Sequence, residues 1–277
     1  MRTTFTAITL ALGLALTAPV SAHDIHIHHQ SCDYSSNYDV QVDASGIRFD
    51  RDSGAPAKVF IHNGRLQVDG RDVAVSADDT ARLREYESNV RTLLPEVAGV
   101  AREGVDVGFA AMRTVMMTFA ENDSERRQMI GRLDDNHRRA LAQVEGSLGQ
   151  GVWKHAAMGR ALGDSIQETV ADLVSKVTAS AVKAALSGDQ SKVVALQARA
   201  DSLDKTIEKE VNTRADRLEQ HAQALCPRLQ ALAQLQQQFQ FRLVDGSRLE
   251  LVTKDKDENH KDEKNRAAGK STDVASR

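Results

Sequence analysis

At Ser76 the spacing of apolar residues changes from two to alternating three and four, and this switch limits the fold more than any other feature of the chain. Upstream, "YDVQVD", "IRFDR", "AKVFIH", "RLQV" and "RDVAVS" alternate with period two. They are separated by turns at Ser45-Gly46, Asp52-Ser53-Gly54, Asn63-Gly64 and Asp69-Gly70, the last two of which are strong tight-hairpin signals. Residues 38–75 are therefore expected to form a small antiparallel meander of four or five strands. So small a sheet is not stable alone and needs a partner to bury one face.

The partner follows directly. Ser76 is a suitable N-cap, and Asp78 and Asp79 fall in the first turn, where acids favour the helix dipole. Leu83, Tyr86, Val90 and Leu93 follow at helical spacing, and Pro95 marks a kink or the first turn of a new helix. The next apolar face reads Val97, Ala101, Gly104, Gly108, Met112, Val115 and Phe119. Gly104 and Gly108 form a small-xxx-small pair suited to close helix packing. Glu103, Asp106 and Arg113 interrupt the run, so that packing is expected between soluble helices rather than in a membrane. Asn122 and Asp123 start a further helix with His137 on its stripe. A break at residues 149–151 precedes another helix that carries Val170, Leu173, Val177, Ala181 and Ala185. The last helical run has heptad-like steps through Leu196, Leu203, Ile207, Val211, Leu218, Leu225, Leu232 and Phe239, with a kink expected near residue 223 because of Pro227. Residues 240–252, "QFRLVDGSRLELV", return to strand character and are expected to join the meander. Residues 253–277 mix charges without apolar periodicity and read as a disordered tail. The expected fold is thus α+β, mainly α. One domain over 38–252 comprises the meander, a helical bundle over 76–239 and a C-terminal strand.

The ends add an address. Residues 1–22 combine Arg2, an apolar run through Leu10, Leu12, Leu14 and Leu16, and the small-residue ending Val20-Ser21-Ala22. That is the pattern of a secretory signal peptide cleaved after Ala22, which predicts an exported chain with no later membrane span. In an oxidising compartment the two cysteines, Cys32 and Cys226, are expected to form one disulfide, worth about 2–4 kcal/mol. Residues 23–37 begin with a histidine-rich stretch. His23, His26 and His28, with His62 of the meander, are the candidate ligands for weak binding of zinc, copper or nickel. The cluster has no tetrahedral set at fixed spacing, so no resident cofactor is expected.

The order of segments resembles the YggN-like family of exported Gram-negative proteins, a domain of unknown function. The resemblance is carried by the cysteine followed by "NYDVQVDASGIRF", by "NGRLQVDGRDVAVSADDTARLREYESNVRTLLPEVAGVAREGVDVG" and by "LCPRLQALAQLQQQF". It implies a periplasmic location and identifies no catalytic residue. Net charge is −3 and aromatics are 4% of the chain, so neither a nucleic-acid nor a carbohydrate-stacking surface is indicated. Gly163-Asp164-Ser165 resembles a hydrolase nucleophile turn but lies within a helical pattern, and Asp134, Asp135 and His137 read as a solvated face. The expected role is a non-enzymatic module that presents its helices to a protein partner or to itself. Metal capture by the histidines is the alternative, and hydrolysis by Ser165 is the third reading.

Overall fold

The computed structural model describes residues 34–120, 122–154 and, with a few interruptions between 172 and 189, 170–254. The α+β, mainly α architecture is the one the periodicity requires. Six antiparallel strands make the main sheet in the order β6-β5-β4-β3-β2-β7. Their ranges are β2 Asp39–Asp43, β3 Gly46–Asp50, β4 Lys58–His62, β5 Arg65–Val68, β6 Arg71–Val73 and β7 Val152–Trp153. Asn63-Gly64 and Asp69-Gly70 both adopt positive φ at both turn residues, the geometry a two-residue hairpin requires.

Register then sorts the side chains. Val40, Phe49, Val59 and Val68 face one another across four strands, and Val42, Ile47, Ile61, Leu66 and Val73 form a second row. Both rows lie on one face and enter a core with the long helix α1 (Ala77–Phe119) and the last helix, α5 (Cys226–Gln237). The opposite face is polar, apart from Phe60, over which Arg48 sits at 5.8 Å.

α1 spans about 65 Å at 1.5 Å per residue. Ser76 caps it, accepting from the Asp79 N–H at 3.1 Å. Pro95 lies inside the helix and does not end it, so of the two expected outcomes, a kink or the first turn of a new helix, it does not start a new helix. Leu93, Leu94 and Ala98 flank the proline and are all buried, so packing on both sides outweighs the lost backbone hydrogen bond. The far half of α1 packs on α2 (Asp123–Gly146) in a second core containing Val105, Phe109, Met112, Met116, Leu133 and Val144. A 3-10 turn, Leu148–Gln150, then leads to β7, an edge strand that the sequence pattern does not reveal.

Helical residues between 170 and 186 precede α3 (Gln190–Thr206), the π-helical turn Ile207–Val211 and α4 (Asn212–Ala224). The interruption at Leu225 falls two residues after the expected kink, because Pro227 sits in the first turn of α5, where its missing N–H costs nothing.

The C-terminal strand also differs from expectation. Residues 240–252 do not join the meander. They form an extended loop that buries Phe241, Leu243, Leu249 and Leu251, and only Thr253–Lys254 form a strand, β8, paired with β1 (Tyr34–Ser35). Thr253 and Lys254, assigned to the tail by their composition, are therefore ordered in a two-residue ladder. The loop's backbone is satisfied by side chains rather than by a sheet. Asp79 accepts from the N–H of Gln240 at 3.0 Å and of Phe241 at 3.2 Å. The Gln236 Oε1 accepts from Leu251 and Val252 at 3.0 and 3.1 Å, and its amide donates to the Val252 carbonyl.

Candidate functional site

Three features stand out once the backbone and core are accounted for. The first is a cavity of about 370 Å³ between the apolar face of the sheet, α1 and α5. Val40 and Phe49 line it from the sheet, Tyr86, Leu93 and Val97 from α1, and Leu229 from α5, with Trp153 of β7 at one side. Tyr86 is wholly buried, and its hydroxyl has no hydrogen-bond partner among the described residues. Burial pushes the phenol far above its ordinary range, so it stays protonated and remains a donor.

The second is a groove of about 360 Å³ between α1, α2 and the π-helical turn. It contains His137, bonded to Asp106 at 2.7 Å and tilted against Phe109 with ring centroids 5.0 Å apart. The Arg113–Asp134 pair lies beside it, and Asp135 is taken by Arg138. These groups are substantially exposed, and such pairs contribute little to stability.

The third is the surface of the helical arm. Val170, Val174, Val182, Leu186 and Val194 are between 41% and 82% exposed. Farther along the heptad-like series, Leu203, Ile207, Val211, Leu218, Leu225 and Leu229 are only half-buried, and full burial begins at Leu232.

The remaining predicted positions are placed as follows. Gly104 faces α4, where an added Cβ would meet Leu218 at 3.8 Å, an ordinary contact. Around Gly108 an added Cβ would meet nothing within 4 Å among the described residues. The buried stripe of this half of α1 runs one residue over, through Val105 and Phe109. His62 is held by the framework, with Nδ1 3.5 Å from Glu87 and Nε2 2.9 Å from Asn63. Burial raises the Glu87 carboxyl, but the Arg91 guanidinium, the Asn63 N–H and His62 outweigh it and hold it below the ordinary carboxylate range. Among the described residues no group of three or more potential ligands converges on a metal position. His23, His26, His28, Cys32 and Ser165 lie outside the described residues. Cys226 opens α5, and β1, which begins two residues after Cys32, packs on that helix.

Among the described residues the buried polar groups are Asp79, Glu87 and Gln236, and the sequence pattern marks neither Glu87 nor Gln236. Asp79 gave a signal, but it was read only as a first-turn acid. Among the described residues no helix is long and apolar enough to cross a membrane.

Fold and surface together define a class: an α+β protein with a β meander closed over one end of a long-helix scaffold, an apolar cavity at the junction and helices that carry half-buried and exposed aliphatic residues. The chain belongs to the family described as "Protein of unknown function (DUF2884)", whose model matches residues 32–252, in agreement with the YggN-like resemblance. Neither the curated proteins nor the solved structures contain a match.

Proposed function

We propose that the protein is an exported, periplasmic, non-enzymatic module that associates through its helical arm, with a second copy of the same chain as its partner. The observation that carries this reading is the run of half-buried aliphatics Leu203, Ile207, Val211, Leu218, Leu225 and Leu229, together with exposed Val194 in α3 and exposed Val170, Val174, Val182 and Leu186 before the break that precedes it. Isolated exposed aliphatics are ordinary, but a sustained run of them along a helix is a surface that gains from being covered. Heptad-like spacing suits an identical helix, and a net charge of −3 offers little repulsion between copies.

Export is supported by the signal-peptide pattern of residues 1–22 and by the paired cysteine count. A structural rather than catalytic use of the buried polar groups is supported by their partners. Asp79, Glu87 and Gln236 all bind backbone N–H groups of this chain. The test is light scattering of the chain beginning at His23. A dimer is expected at tens of micromolar, and Leu186→Lys with Val194→Lys is expected to return it to monomer with unchanged helicity. A strict monomer in the unsubstituted chain would overturn the proposal.

A further inference from the structure

Of the aliphatics proposed to associate, only Leu225 and Leu229 also line the apolar cavity, so the cavity and the arm can be tested apart. The cavity volume of about 370 Å³ is within the range of roughly 300–1,000 Å³ common to small-molecule sites. Tyr86 and Val97 stand at the two ends of its α1 wall, eleven positions or about 16 Å apart at 1.5 Å per residue. Spread along that length, the volume leaves a slot of about 23 Å² in mean section, room for a single extended hydrocarbon chain. Val97, Leu225, Leu229 and Trp153 are only half-buried, so the slot is open to solvent on their side.

The lining includes no Lys, Arg, His, Asp or Glu among the described residues. An ionised group drawn inside would lose its water with no counter-charge in exchange. Two of the neutral polar groups are spent as well. The Tyr86 hydroxyl has almost no accessible surface, so this residue lines the slot with its ring, and the Ser36 hydroxyl donates to the Leu251 carbonyl at 2.7 Å. Water held in a cavity needs about two to four polar partners, which these walls supply poorly, whereas aliphatic carbon gains dispersion contacts from every wall.

We propose that the cavity binds the hydrocarbon chain of an uncharged aliphatic molecule, laid along α1 between Tyr86 and Val97 and packed on Val40, Leu93 and Leu229. Trp153, the single tryptophan of the sequence, borders the bound chain, so its emission reports occupancy without a label.

In the experiment the chain beginning at His23 is equilibrated with hexane, heptane or octane vapour. Binding is read as protein-dependent loss from the headspace, with Trp153 emission followed in parallel. Saturable binding is expected, tightening about fourfold per added methylene, the worth of burying one. Octanedioate, of the same carbon number as octane but ionised at both ends, is expected not to displace it at about tenfold excess. Val97→Trp fills the slot from a half-buried position and is expected to abolish uptake of all three alkanes; Leu229→Trp, on the α5 wall, replaces it if that chain does not fold. Leu186→Lys with Val194→Lys, outside the lining, is expected to leave the affinities unchanged. Absence of saturable binding, equal affinity for the three alkanes, displacement by octanedioate, or undiminished uptake by a folded slot-filling variant overturns the proposal. Loss of uptake in the Leu186→Lys, Val194→Lys chain assigns the binding to the arm and overturns it too. If neither tryptophan variant folds, chain length and octanedioate decide.

Discussion

Asp79 offers the sharpest test of how the terminal loop is held. Its carboxylate is 1% exposed and accepts from two backbone N–H groups of the loop, Gln240 and Phe241, while Arg82 approaches at 3.1 Å. Replacement by Ala removes every one of these acceptors. The Phe241 N–H is buried and would bear the full cost of an orphaned donor, about 1–3 kcal/mol. The Gln240 N–H is only part-buried and can recover a bond to water, so about 1 kcal/mol is its upper share. Arg82 keeps its access to solvent and adds little. The sum is about 1–4 kcal/mol, a large part of the stability of an ordinary domain, about 5–15 kcal/mol. Asp78→Ala is the control. It lies in the same first turn, gives up the same dipole interaction and holds no loop, so about 0.3–1 kcal/mol is expected. Equilibrium urea unfolding followed by circular dichroism measures both. If Asp79→Ala costs no more than Asp78→Ala, the carboxylate is acting only as a helix-terminus charge and the loop-holding argument is wrong.

Three further outcomes follow from other parts of the fold. Gly151 has φ 77° and an added Cβ would stand 2.4 Å from the Val42 carbonyl oxygen, so Gly151→Ala should detach β7 at a cost of about 1–3 kcal/mol; Trp153 emission should shift to the red, and an unchanged spectrum counts against it. Glu87 titrates lower in the folded chain than in the unfolded one, so its contribution is present above the unfolded value of about 4.3 and is lost as pH falls through the folded value. Glu87→Gln should therefore flatten the acid limb of a stability–pH curve, and parallel curves for the two chains would refute this. If Cys32 and Cys226 are joined as proposed for an exported chain, thiol titration in denaturant should find no free thiol before reduction and two after it. Cys226→Ser should then lose about 2–4 kcal/mol.

The meander was legible because two-residue turns and period-two alternation are local properties. Asn63-Gly64 and Asp69-Gly70 carry the required positive φ wherever they stand. The helices were legible for the same reason, but their faces were less so. The spacing of Gly104 and Gly108 points to one face of α1, while the buried stripe there includes Val105 and Phe109, one residue over. β7 was hidden because two residues carry no period, and its pairing with Val40 and Gln41 is purely tertiary. The terminal segment read as strand because its side chains do alternate in burial from Phe239 to Leu243. Pattern alone cannot say whether a ladder or a pair of side chains satisfies the backbone, and here Asp79 and Gln236 do so. The cavity was not legible at all. It lies where α1, α5 and the sheet fail to close completely, and its aliphatic lining residues look like core in their own segments.

The walls of that cavity are unequal in what it costs to move them. α1 belongs to both cores, and Val42 and Val97 pack against both. Arg91, one turn before Pro95, ties the helix to the Asp43 carbonyl at 2.7 Å. Displacing this wall would disturb two hydrophobic clusters together. The side formed by Tyr34, Ser35 and Val252 is fastened differently, through a ladder of two residue pairs, Tyr34 with Lys254 and Ser35 with Thr253. An isolated two-residue ladder is marginal, and local opening concentrates where buried contacts are fewest. Hydrogen exchange should therefore be fast at residues 34–35 and 253–254, and slow across Val59 and Ile61, which pair with neighbours on both sides. A ligand in the cavity should slow the first set and leave the second unchanged. Equal protection of both sets in the free chain would mean that the short ladder is not the yielding wall, and access to the cavity would then have to come from the Trp153 edge.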